Sequence, residues 1–196
     1  MIKKISGVTV CTALAIVLWG QNAGQLPRVV EPTFRAIVYD IKKYGAVPDG
    51  YTLNTGSIQR AIDECSRQGG GRVLLSNGLW LSGPLVLKSN VNLHLEVGAT
   101  LLFSPDKNLY PLVKANWEGF VQMRNQSPIS AANATNIGIT GKGIIDGNGG
   151  VWRQVKKEKL TESHWKKLLA SGGVLSGDKK SWMPSASFAK GQSEKD

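Results

Sequence analysis

The stretch RVLLSNGLWLSGPLVLKSNVNLHLEVGATLLF, residues 72–103, decides the fold. Apolar residues recur in it at every second position: Val73 and Leu75, Leu79 and Leu81, Leu85 and Leu87, Val91, Leu93 and Leu95, then Leu101 and Phe103. Successive side chains of a strand point to opposite faces, so this spacing predicts short strands that each bury one face. Between them stand Ser76-Asn77-Gly78, Ser82-Gly83-Pro84, Ser89-Asn90 and Gly98-Ala99, the residue types that make turns. Thirteen of the 23 glycines fall between Gly69 and Gly150, as strands this short require.

The pattern returns downstream. Asn92-Leu93-His94-Leu95, followed by Gly98 and Leu101-Leu102, is echoed by Asn136-Ile137-Gly138-Ile139, followed by Gly141 and Ile144-Ile145. The offset of 43 or 44 residues predicts two turns of a solenoid, with coils of about 22 residues each. Recurrence at a fixed offset favours a parallel β-helix, whose coils stack their inward side chains on one another, over a sandwich or jelly roll built from similar turns. Upstream, Tyr39 to Asp49 reads as a short strand entering a Gly/Pro turn. Ile58, Ala61, Ile62 and Cys65 then recur at helical spacing behind Thr55, a predicted N-cap, and Gly69-Gly70-Gly71 stop the helix.

Residues 104–128 break the repeat with Pro105, Tyr110, Pro111, Trp117 and Phe120 and read as a long loop thrown out from one corner. The solenoid portion therefore spans residues 25–152. Residues 153–196 form a basic tail, with a helix expected over Thr161–Ala170 and loop or disorder over 174–196. The net charge is +10, and this tail, with 10 basic and 5 acidic residues, supplies half of it. Such a surface suits an acidic partner, although a solvated tail explains the same charge. Met1 to Gly20 has two lysines and then an apolar run too short and too hydroxylated for a stable membrane anchor, the plan of a signal peptide over residues 1–24. Cleavage near Ala23 or Gly24 predicts a secreted or periplasmic protein. Cys65 is then the only mature cysteine, which excludes an internal disulfide framework.

Five segments resemble family 28 glycoside hydrolases, the polygalacturonase and rhamnogalacturonase group. They are Tyr44-Gly45-Ala46-Val47-Pro48-Asp49-Gly50, Asn54-Thr55 to Ile62, Gly69-Gly70-Gly71-Arg72-Val73, Gly141-Lys142-Gly143-Ile144-Ile145-Asp146-Gly147, and Trp152. The resemblance covers residues 38–155. It implies an all-β, right-handed parallel β-helix of the pectin-lyase-like type, represented by its first few coils with an N-terminal capping helix. It also implies an inverting hydrolase of pectic, polygalacturonate-like polysaccharide, working through paired carboxyl groups without a cofactor. The family carries those groups in Asn-x-Asp, Asp-Asp, Gly-His-Gly and Arg-Ile-Lys motifs on later coils. None of these motifs is present, so no catalytic residue is assigned, and the chain is expected to be an inactive N-terminal fragment. A pectate-lyase-like enzyme and a non-catalytic β-helical carbohydrate binder are the alternatives.

Single residues are weighed on the same terms. Trp117 and Arg124 offer an aromatic face and a guanidinium to a sugar and its carboxylate, against the simpler expectation that Trp117 and Phe120 pack the loop onto the solenoid. Gly45, Asp49, Gly50, Asp146 and Gly147 are read as structural members of the family motif, because Asp in a Gly-rich turn usually bonds its own backbone. His94 alternates with Leu93 and Leu95 and should face outward. With only Glu96 beside it, no metal site is expected. No nucleic-acid recognition motif accompanies the charge, so nucleic acid is not an expected partner, and a monomer is expected.

Overall fold

The structure, a computed structural model, describes residues 30–193. Two compact units divide the chain, Met1–Glu31 and Pro32–Asp196. Of the first only Val30 and Glu31 are described, both exposed, and the expected signal peptide lies outside the described residues. The second begins with β1 (Val38–Asp40), a short 3-10 turn, and the helix α1 (Thr55–Arg67). It continues through β2 (Gly71–Leu75), β3 (Gly78–Ser82), β4 (Leu85–Val86), β5 (Val91–Leu95) and β6 (Ala99–Phe103). After β7 (Leu112–Trp117) and β8 (Phe120–Asn125) come β9 (Ile129–Ser130), β10 (Gly138–Gly141) and β11 (Ile144–Asp146). The C-terminal part holds β12 (Val155–Lys156), α2 (Glu162–Ala170), β13 (Val174–Leu175), β14 (Ser181–Met183) and α3 (Ala186–Ser193).

Three parallel ladders, β1-β2-β5-β10, β3-β6-β11 and β4-β9, run along successive coils and share one core. Like positions stack: Val73 pairs with Leu93 and Leu93 with Ile139, while Trp80 pairs with Leu101 and Leu101 with Ile145. This is the parallel β-helix. The amphipathic face of α1, with Ile58, Ala61, Ile62 and Cys65 fully buried, closes the first coil against β1, β2, β4 and β5. Burial pushes the Cys65 thiol up to about 11, so it is an inert core group. Beyond the C-cap Gln68, Gly70 (φ +102°) returns its N–H to the Cys65 carbonyl at 2.8 Å, and an added Cβ there would lie 2.5 Å from the Asn90 carbonyl oxygen.

The opposite end is open. Ile139, Ile144 and Ile145 on β10 and β11 are 47%, 61% and 40% exposed, and no described strand pairs with their outer edge. A clasp from the other direction ties this coil down. Asn136 (φ +53°) accepts from the Thr33 N–H at 3.1 Å and donates to the Thr33 carbonyl at 2.8 Å, joining positions 103 residues apart.

Several expectations are corrected. In β3 the inward residues are Trp80 and Ser82, both with no exposed surface, whereas Leu79 is 39% exposed and Leu81 half-buried. The alternation is right and its phase is wrong, because the larger ring takes the interior once its indole N–H is satisfied by the Ser76 carbonyl at 2.8 Å. Ser82 follows it inward by donating to the Gly83 carbonyl at 2.8 Å. The downstream echo is one coil away and not two. Gly71 pairs with Val91 and Gly78 with Ala99, giving coils of 20 or 21 residues, while Asn92 pairs with Gly138 and Thr100 with Ile144, 46 and 44 residues on. The extra length is the insertion at one corner. That insertion is an antiparallel hairpin, β7 with β8, and not a loop. Its two-residue turn, Glu118 (φ +51°) and Gly119 (φ +87°), has the left-handed conformation that matches strand twist.

Thr55 is the first helical residue, not the N-cap. Its hydroxyl accepts from the Gly83 N–H at 2.6 Å, and Asn54 occupies the cap position. Residues 174–193, expected to be irregular, hold β13, β14 and α3. Two short antiparallel pairings join β12, β14 and β13 around buried Trp182, whose indole N–H donates to the Gly172 carbonyl at 2.6 Å.

Candidate functional site

A cleft of about 1040 Å³ lies over the β4-β9 ladder. Val86 and Ser130 form part of its floor, the β7-β8 hairpin one wall, and Gly147 to Trp152 with α3 the remainder. Packing makes these walls continuous. Tyr110 is buried, donates to the Ser104 carbonyl at 2.8 Å, and meets Trp152 edge-on at 4.9 Å between ring centroids. Burial, helped by Asp106, pushes the Tyr110 phenol up to about 12, so it serves as a neutral structural donor. Trp152 in turn lies 6.5 Å from Phe188 of α3. Helix α3 is fixed to the hairpin by the Asn125 amide, which donates to the Ser187 hydroxyl at 3.1 Å, and by Gly191, where a Cβ would come 2.9 Å from the Met123 carbonyl oxygen.

Trp117 and Arg124 both line this cleft. The Arg124 guanidinium carbon sits 4.7 Å from the centre of the Trp117 ring, and one guanidinium nitrogen donates to Gln122 Oε1 at 2.8 Å. The expected packing of Trp117 and Phe120 onto the solenoid does not occur. They face each other across the hairpin turn and remain 50% and 69% exposed, because the hairpin projects from the corner. Gly147 lines the cleft, while the neighbouring Asp146 spends Oδ1 on the Asn148 N–H at 2.8 Å. Tyr110 and Phe188 escaped the sequence reading as cleft residues. The Tyr110-Pro111 pair was visible, but nothing local says that α3 returns to it.

The other singled-out residues lie elsewhere. Gly45 (φ +88°) closes the 3-10 turn after β1. Asp49 accepts from the Tyr51 and Thr52 N–H groups at 2.8 and 2.7 Å and from the Thr52 hydroxyl at 2.6 Å, bonds that hold its carboxyl below the usual range. Gly50 donates to the Leu79 carbonyl at 2.9 Å, and a Cβ there would strike the Leu79 side chain at 2.5 Å.

His94 is on the outward row of β5. Its Nδ1 is 2.8 Å from the Thr140 hydroxyl, which donates to Asn92 Oδ1 at 2.8 Å, so Nδ1 carries the proton in this bond. Partial burial, and then Arg72, lower its pKa from 6.5 against a smaller opposite effect of Glu96. The fold therefore prefers neutral imidazole. The unfolded chain binds more protons just below pH 6.5, and stability falls as pH drops through that value. An NMR titration should place the His94 midpoint below 6.5, and His94→Gln should remove this part of the acid sensitivity. Among the described residues no three His, Cys, Asp or Glu side chains cluster as metal ligands, and no helix is long and apolar enough to cross a membrane.

The ladders, the corner hairpin and the cleft together define a parallel β-helix with one walled groove, and several proteins similar to this chain share that fold. The chain is similar to the family 28 polygalacturonases. It is 42% identical over 125 residues to an exo-poly-alpha-D-galacturonosidase of Dickeya chrysanthemi, covering 60% of this chain and 20% of that protein. The structure of a hyperthermoactive exopolygalacturonase from Thermotoga maritima matches with a TM-score of 0.57 and 38% identity, over 60% of this chain and 26% of the other. That of the Yersinia enterocolitica family 28 exopolygalacturonase matches with a TM-score of 0.54 and 31% identity, over 76% and 25%. The chain thus spans between a fifth and about a quarter of the length of these three proteins. No protein-family profile matches it.

Proposed function

We propose that the chain forms the opening coils of a secreted, polygalacturonase-like glycoside hydrolase. Pectic polysaccharide lies in the cleft against Trp117 and Arg124, and coils stacked on the open edge supply the hydrolytic carboxyl groups. The observation that carries this reading is the charge of the cleft: among the described lining residues it has Lys114 and Arg124 and no carboxylate. Inverting hydrolysis needs two carboxyl groups about 6.5–9.5 Å apart. A lining with cations alone binds an acidic polymer without cutting it. The exposed isoleucines of β10 and β11 support stacking of further coils, since an uncovered solenoid end leaves apolar side chains and strand groups facing water. A non-catalytic binder of this size would need that edge covered, whereas Ile139, Ile144 and Ile145 remain exposed to solvent.

Purified chain incubated with polygalacturonate should bind it, as read by affinity electrophoresis, and release no reducing ends above background. Turnover would mean that the cutting groups are already within residues 1–196. Expressed with its own N-terminus, the exported monomer should begin at residue 24 or 25, and retention of Met1 would remove the secreted part of the reading.

A further inference from the structure

Trp117 stands on the cleft wall beside Arg124. Its ring is already engaged, with the Arg124 guanidinium carbon 4.7 Å from its centre. Gln122, itself buried, takes a hydrogen bond from one guanidinium nitrogen at 2.8 Å. Arg124 Nε is shut off from solvent and has no acceptor among the described residues. The guanidinium is therefore held over the indole ring and fixed at one corner, and no described carboxylate forms an ion pair with it.

From this arrangement we infer that Arg124 is a charge-reading determinant of the cleft and that Trp117 and Gln122 are its positioning residues, so that this subsite takes a free uronate carboxylate and rejects its methyl ester. The inference rests on the reading that a pectic polymer occupies the cleft. A carboxylate presents two anionic oxygens to a planar fork of donors, while an ester has no charge and a weaker acceptor pair. Stacking on an aromatic face presets the fork, so less freedom is lost when the anion arrives. Lysine lacks both the plane and the fork, and should replace it only in part.

The test compares the full chain binding tetragalacturonate and its methyl ester by calorimetry, with circular dichroism confirming that each variant folds. The wild-type chain should prefer the free acid by roughly tenfold, the size expected for one charge-assisted contact. Arg124→Gln should abolish the preference, and Arg124→Lys, which keeps the charge but loses the planar fork, should retain only part of it. Trp117→Ala should lose the same preference, Trp117→Phe should retain most of it, and the Trp117→Ala/Arg124→Gln pair should be no worse than Arg124→Gln alone. If Trp117→Ala weakens both ligands equally, the ring stacks on sugar and the positioning role is wrong. Equal wild-type affinity for acid and ester overturns the inference but leaves the pectic reading standing. Binding of neither ligand overturns both.

Discussion

Replacing Trp80 with alanine should lower folding stability by about 3–5 kcal/mol, the usual cost of emptying a large buried aromatic site. The same change at Leu79 should cost under about 1 kcal/mol, because that side chain is 39% exposed. Trp80 has no exposed surface, stacks in register on Leu101, and satisfies its indole N–H on the Ser76 carbonyl at 2.8 Å. Truncation loses both the area and a donor that fixes the preceding corner. Denaturant midpoints of the two variants measure the difference, and a Leu79→Ala loss as large as that of Trp80→Ala would reverse the assigned phase of β3.

The second large effect is expected at Asn54. This side chain is 1% exposed, accepts from the Val47 N–H at 2.7 Å, and donates to the Val47 and Thr52 carbonyls at 2.9 and 2.8 Å. It therefore pins the loop carrying Asp49 and Gly50 to the start of α1. Asn54→Ala leaves one backbone donor and two acceptors in a partly buried place, at a cost of about 2–3 kcal/mol. Asn54→Asp should be no better, since a carboxylate accepts from Val47 but cannot donate to either carbonyl. Thermal unfolding of both variants reads the effect, and a wild-type midpoint for Asn54→Ala would show that the loop is held by Asp49 alone.

How far the fold could be read in advance follows from these two residues. Period-two alternation identified the strands because every coil must bury one face, and it placed Val73, Leu75, Val91, Leu93, Leu95, Leu101 and Phe103 correctly inside. It failed at β3, where both rows are apolar or small and the choice between them turns on the Trp80 indole reaching the Ser76 carbonyl at the preceding corner. Asn54 was visible as part of a family motif, but its three bonds reach loop atoms whose position depends on the whole turn. The coil length of about 22 residues is close to the 20 or 21 found, but the downstream echo reads as two coils because an insertion of more than twenty residues mimics a second one. In the cleft, Trp117 and Arg124 stood out as residue types. Their contact, across a hairpin that the sequence presented as a loop, did not.

The inserted hairpin leaves and rejoins the solenoid without disturbing the ladders on either side, so that corner behaves as a docking port on a fixed rail. Segments of quite different length can be exchanged there while the stack beneath keeps its alignment. A laboratory graft between Ser104 and Pro128 should leave the register of the β5-β10 and β6-β11 ladders unchanged, while it removes Tyr110 and the hairpin bond that holds α3.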